Sequence, residues 1–203
     1  MKNIIVFIFS LILVITFAVA ACNSDKSSSA TNKEIEPARM TKDSLVKRGE
    51  YLVTIMGCND CHSPKKMGPN GPEPDQERLL SGHPSNMPLG KINPKELESW
   101  VLFHPNQTAT AGPWGVSFAA NITSDETGIG NWTEMQFFTA MRKGKYKGIE
   151  SGRQLLPPMP WPNFSKATDE DLRAIFYYLK STKPIKNVVP NAVGPAMGAS
   201  PKR

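Results

Sequence analysis

The chain has 203 residues, with 24 Lys and Arg against 18 Asp and Glu and a formal net charge of +6. That length suits one domain with terminal extensions, and a charge this mild and dispersed excludes a nucleic-acid surface while suiting an acidic partner or an anionic membrane. Eighteen prolines, and a 39% hydrophobic content inflated by the first 21 residues, predict a small core with long ordered loops.

MKNIIVFIFSLILVITFAVAAC carries one lysine, a long apolar run and small residues before a cysteine. This is the pattern of an export signal over residues 1–21. The segment Val19-Ala20-Ala21-Cys22 resembles the lipobox of bacterial lipoproteins. The resemblance implies that Cys22 is lipidated and becomes the first mature residue. An uncleaved anchor is the other reading, since Ile4 to Ala21 is just long enough to span a bilayer. Both readings put the domain on the periplasmic side of a bacterial membrane and tie it there. A lipidated cysteine with an acylated amino group gives the stable anchoring that one chain does not. Residues 22–40 are polar and serine-rich, and read as a flexible tether.

A helix is expected next, over TKDSLVKRGEYLVTIMG, because Leu45, Gly49, Leu52, Val53 and Met56 fall on one face. It leads into GCNDCHSP, residues 57–64, where Cys58 and Cys61 flank two residues and His62 follows directly. A redox disulfide needs a preceding strand and a βαβ context, and here a helix precedes. A structural zinc ion needs four ligands. Cys58, Cys61 and His62 give three, and His83 and His104 lie in unrelated loops. CxxCH is the attachment signal for c-type haem. Two thioether bonds pin the haem, and the adjacent histidine is carried under the iron. One such motif predicts one covalent haem c, with His62 as proximal ligand. The pair of thiols is then also protected in an oxidising compartment.

Turn residues crowd KKMGPNGPEPDQERLLSGHPSN, and Asn93 to Phe103 reads as a short helix with Asn93 as cap and Pro94 in its first turn. A middle helix is expected over residues 133–143, capped by Thr133, with Glu134 early and Arg142 and Lys143 late, as the helix dipole prefers. In QLLPPMPWPN, Met159 sits between prolines, which stiffen the loop and suit a weak thioether donor. Met159 is therefore the expected second axial ligand. Met87, His83 and His104 are the alternatives, and a vacant sixth position is the remaining one. The last helix begins at Thr168, with Asp171 three residues on, and buries Leu172, Ile175, Phe176 and Leu179. Residues 184–203 form a Pro/Gly/Ala-rich tail that lies over the surface and then frays.

CNDCH after a short helix, NITSDETGIGNWT at 121–133, LLPPMPWPNF and TDEDLRAIFYYLK, in that order, resemble a class I monohaem cytochrome c. More narrowly they resemble the haem domains that accompany periplasmic alcohol and aldehyde dehydrogenases. The resemblance covers roughly residues 44–64 and 114–186. It implies an all-α cytochrome c fold over residues 41–183, in which the first helix crosses the last with Gly49 and Tyr178 at the contact. Residues 65–113 are longer than the family's usual segment and form an insertion over a haem edge or against a partner.

The function expected is one-electron transfer between a redox donor and acceptor, with no catalysis by the chain itself; a dehydrogenase or an oxidase is the candidate partner. The competing readings are a haem peroxidase or ligand sensor with an open sixth site, and a dedicated cytochrome subunit of a dehydrogenase or oxidase complex. Smaller signals are Arg153, Trp161 and Trp114 as haem-propionate donors, Lys143, Lys145 and Lys147 as a basic docking loop, and Asp125 with Glu126 as weak metal ligands. There is no glycine-rich phosphate loop and no nucleophile–base pair.

Overall fold

The computed structural model describes residues 40–194. The export signal, Cys22 and the tether up to residue 39 lie outside the described residues, as does the tail beyond residue 194.

Helix α1, Lys42–Ile55, starts where the Thr41 hydroxyl accepts from the Ser44 N–H at 3.2 Å, and it buries Leu45, Gly49, Leu52 and Val53. Gly57 then turns the chain at φ 67°, the left-handed conformation that glycine adopts without penalty. The five-residue helix α2, Cys58–His62, follows at once. Helix α3, Glu134–Lys143, has a full capping box, with Thr133 and Gln136 bonding each other's backbone. Helix α4, Trp161–Phe164, is a single turn, and helix α5, Asp169–Ser181, is capped by Thr168 accepting from the Asp171 N–H at 3.1 Å.

Helices α1 and α5 make the main packing contact. A Cβ on Gly49 would lie 2.0 Å from the Ala174 carbonyl oxygen and 2.6 Å from Tyr178 Cβ. The missing side chain is what lets the two backbones meet. Arg48 and Asp171 pair across the outside of the crossing at 2.9 Å, a surface ion pair that adds little. Phe137 of α3 stacks obliquely on Phe176 of α5, with ring centroids 5.5 Å apart. Leu80 from the insertion and Ile129 from the TGIG loop complete this apolar core.

Between α2 and α3 the chain forms short antiparallel strands, which the all-α expectation does not include. Strands β1, Lys65–Gly68, and β2, Gly71–Pro74, make a hairpin with Lys65 opposite Pro74. Strands β3, Leu102–Phe103, β4, Ala109–Gly112, and β5, Gly115–Phe118, form a sheet in that order. The helix expected over 93–103 is reduced to one 3₁₀ turn, Glu96–Glu98. The N-cap of that turn is Lys95, without a side-chain cap, and Asn93 Oδ1 accepts from the Lys95 N–H at 3.2 Å just ahead of it. The turn buries no residue, so no tertiary contact extends it. Leu102 and Phe103 pair with Ala111 and Thr110 instead.

The described part of the tail is tied down. Val193 and Val116 exchange backbone hydrogen bonds of 2.8 and 2.9 Å. The Asn187 side-chain amide donates to the Ser81 and His83 carbonyls at 2.7 and 2.9 Å.

Candidate functional site

The CNDCH turn is fixed from several directions. Lys65 Nζ donates to the carbonyls of Asn59, Asp60 and Ser63 at 3.0, 2.8 and 2.7 Å. It thereby satisfies acceptors that the end of so short a helix leaves open. Burial holds the Lys65 ammonium below its usual range. Ser63 Oγ donates to Asn59 Oδ1 at 2.7 Å and accepts from the Leu80 N–H at 2.8 Å. The Gly82 N–H donates to the His62 carbonyl at 2.7 Å. The start of the insertion thus braces the motif it follows.

Cys58 and Cys61 are free, half-buried thiols. Burial pushes Cys58 up to about 11 and raises Cys61 as well. A redox dithiol needs the opposite, a thiolate stabilised near neutral pH. Among the described residues, no group of three or more His, Cys, Asp or Glu side chains is disposed to hold a metal ion. Neither the disulfide nor the zinc reading gains support.

His62 Nδ1 lies 2.7 Å from the Ala120 carbonyl oxygen. A carbonyl only accepts, so Nδ1 carries the proton and Nε2 presents its lone pair. Burial also holds the ring below its usual range and so neutral, against the raising effect of Ala120. A neutral imidazole oriented through its other nitrogen is the form that ligates a metal. Two unpaired thiols beside such an imidazole fit covalent haem c: Cys58 and Cys61 would attach it and His62 Nε2 would bind its iron.

Met159 is half-buried and packs against the same apolar cluster that Cys58 and Met56 touch. Its loop is held by Ser117, whose Oγ donates to the Pro157 carbonyl at 2.6 Å. The Trp114 indole N–H in turn reaches Ser117 Oγ at 3.3 Å. Ser117 and Ala120 are three residues apart. One stretch of chain therefore grips both the Met159 loop and the His62 ring.

The alternative ligands lie together within the insertion. His83 is completely buried, beside Thr108, His104 and Phe118. Met87 Sδ accepts from the Asn106 amide at 2.8 Å, and His104 Nδ1 meets Asn106 Oδ1 at 2.7 Å. Among the expected propionate donors, Arg153 stacks 3.9 Å over the Tyr146 ring, Trp114 is on Ser117, and Trp161 lies against Gly144. The basic loop is internally paired: Lys143 with Glu150 at 2.6 Å, Lys145 with the Gly152 carbonyl at 3.2 Å, and Lys147 over Tyr146. Asp125 accepts from the Thr127 hydroxyl and N–H, which hold its carboxyl below the usual range. It acts as a loop brace.

Lys65, Ser117 and Ala120 carry no sequence signal of their own. Ala120 contributes a main-chain oxygen that any residue would supply.

No family model matches this chain. The cytochrome c subunit of the alcohol dehydrogenase (quinone) of Gluconobacter oxydans is 31% identical over 150 residues, 73% of this chain and 24% of that protein. The gluconate 2-dehydrogenase cytochrome c subunit of Pantoea cypripedii is 32% identical over 145 residues, 70% of this chain and 24% of that protein. The fructose dehydrogenase cytochrome subunit of Gluconobacter japonicus is 29% identical over 161 residues, 76% and 26% of the two chains. The chain thus spans about a quarter of the length of the curated relatives it matches. Its homologues are cytochrome c subunits of dehydrogenases.

Proposed function

We propose that the chain is a monohaem electron carrier of cytochrome c fold, tethered to the membrane through lipidated Cys22. Cys58 and Cys61 would attach one haem c, and His62 Nε2 and Met159 Sδ would hold its iron. The observation that carries this reading is the His62 ring, held by the Ala120 carbonyl with Nε2 free, beside two unpaired thiols. When bound, the haem supplies a one-electron iron couple. The protein's part is to hold that iron still and shielded. Lys65 and Ser63 keep the CNDCH turn from opening, Ala120 fixes the imidazole tautomer, and Ser117 fixes the carbonyl two residues before Met159. Rigid ligands keep the two oxidation states alike in geometry, so little reorganisation opposes transfer. A thioether on iron also raises the potential relative to a second histidine.

A dehydrogenase is the proposed electron donor, supported by the relatives being dehydrogenase subunits. The insertion exposes Trp100 and Phe103, at 69% and 52%, which suits a contact with that partner better than with water. The periplasmic side of the membrane is the proposed location, supported by the leader and the Val19-Ala20-Ala21-Cys22 segment.

Intact mass and absorption of the full chain, expressed with a haem-attachment pathway, test the core of this reading. The expected result is one covalent haem, low-spin in both oxidation states, with slow and weak carbon monoxide binding. Rapid, tight carbon monoxide binding would make it a sensor or peroxidase instead.

A further inference from the structure

The insertion gathers His83, His104 and Met87 around Asn106 and Thr108, with His83 directly after the Gly82 whose N–H donates to the His62 carbonyl. His83 is wholly enclosed, and its Nδ1 lies 2.8 Å from Thr108 Oγ1. Thr108 Oγ1 gives its own proton to Asn106 Oδ1 at 2.9 Å, so it accepts from His83 and Nδ1 carries the proton. Nε2 of His83 is then a bare lone pair, buried and without a hydrogen-bond partner among the described residues. Such groups are rare in native proteins and mark a missing water, ion or ligand. The Met87 backbone lies close enough to favour the protonated ring, yet Nε2 itself has no partner at hydrogen-bond distance and angle among the described residues.

His104 repeats the arrangement. Its Nδ1 is 2.7 Å from Asn106 Oδ1, an acceptor, so that nitrogen also carries the proton. The 3.3 Å approach of the Asn106 N–H to the same atom is the weaker contact. Two imidazoles therefore present Nε2 lone pairs, each with Nδ1 held by an outer partner, as in metal-ligating histidines. Their ring centroids are 5.9 Å apart and their planes perpendicular. With metal–nitrogen bonds of about 2.0 Å, two rings on one ion have centroids roughly 5–6 Å apart. The Asn106 amide also draws in Met87 Sδ, at 2.8 Å, and a thioether keeps a second lone pair.

We propose that His83 Nε2, His104 Nε2 and Met87 Sδ form a binding site for one monovalent copper ion. The donor set is soft and neutral, which suits copper(I). Calcium and magnesium require oxygen donors, and structural zinc takes four ligands from Cys, His, Asp and Glu. Of the three donors, His104 also lines a cavity of about 300 Å³ together with Leu89, Ile92 and Phe103. Bound copper would cross-link the segment before β3 to the β3–β4 turn. The site does not depend on the haem reading, because none of its donors is shared with CNDCH.

The test is anaerobic titration of the full chain with copper(I) against a chromophoric chelator. Cys58 and Cys61 are occupied by haem or, if haem is absent, alkylated. One equivalent should bind, and His104→Asn and Met87→Leu should each weaken it at least tenfold while leaving the absorption and circular dichroism of the rest unchanged. Should one variant disturb those spectra, the other carries the comparison. Failure to compete with the chelator overturns the site, as does binding that neither variant weakens. Preferential uptake of zinc(II) by the unaltered chain overturns the assignment to copper.

Discussion

Helices α1, α3 and α5 bury Leu52, Val53, Phe137, Leu172, Ile175 and Leu179, whereas the chain from residue 83 to 118 buries His83, Asn106, Thr108, Thr110 and Ser117. The first region is held by apolar area, which is non-directional and tolerates exchange at constant volume. The second is held by hydrogen bonds whose partners are lost singly when one member is removed. The proposed haem site lies where the two meet. Its CNDCH turn follows the apolar helix α1, and the two proposed iron ligands, His62 and Met159, are steadied by the stretch from Ser117 to Ala120. The helices therefore decide whether the site exists, and the stretch that follows the insertion, Ser117 to Ala120, decides how still the proposed ligands are held.

The largest effect should come from the attachment turn. Replacing Cys58 and Cys61 together by Ala should abolish covalent haem, read by haem staining on a denaturing gel; retained stain would refute thioether attachment. Next is the helix crossing. Gly49→Ala drives a methyl into the Ala174 carbonyl, and overpacking of this kind costs about 1–3 kcal/mol. Urea unfolding of the haem-loaded protein should show that loss, and an unchanged midpoint would mean the helices do not meet so closely.

A smaller effect is expected in the polar region. Ser117→Ala leaves the Pro157 carbonyl without its 2.6 Å donor, a loss of about 1–2 kcal/mol. The methionine–iron band should then vanish at a lower temperature, and Ser117→Thr should restore it. A purely structural role would lower stability without moving that band relative to global unfolding.

The smallest effect concerns acid. Thr127 holds the Asp125 carboxyl below its ordinary value of 3.8, first through its hydroxyl and then through its N–H. The folded state therefore gains stability that is present above that ordinary value and lost as pH falls through the lower, folded one. Asp125→Asn keeps an acceptor but cannot titrate. Its melting temperature should fall less steeply than that of the unaltered chain between about pH 5 and 2. Parallel curves would show that the Thr127 contacts do not act through the charge.

The three longer helices were legible because their signals are periodic and local. Thr41, Thr133 and Thr168 cap where side-chain chemistry says they should, and Gly49 sits where a close crossing needs it. The spacing of CNDCH carries its own chemistry, and the structure sets its two thiols and the His62 ring on one short helix. The insertion was not legible. Leu102 and Phe103 became a strand through pairing with residues 110 and 111, which no local pattern announces. Ala120 acts through a backbone oxygen, and Ser117 reaches Pro157 across 40 residues. Such contacts exist only once the chain is folded.

The most direct test of Met159 ligation is the visible spectrum of the oxidised, haem-loaded protein beside that of Met159→Leu. Sharp low-spin bands and a weak far-red methionine–iron band are expected in the first, and loss of that far-red band with a shift toward high spin in the second. A high-spin resting protein, or a variant with an unchanged spectrum, would contradict Met159 ligation and with it the proposed electron carrier with His62 and Met159 on its iron.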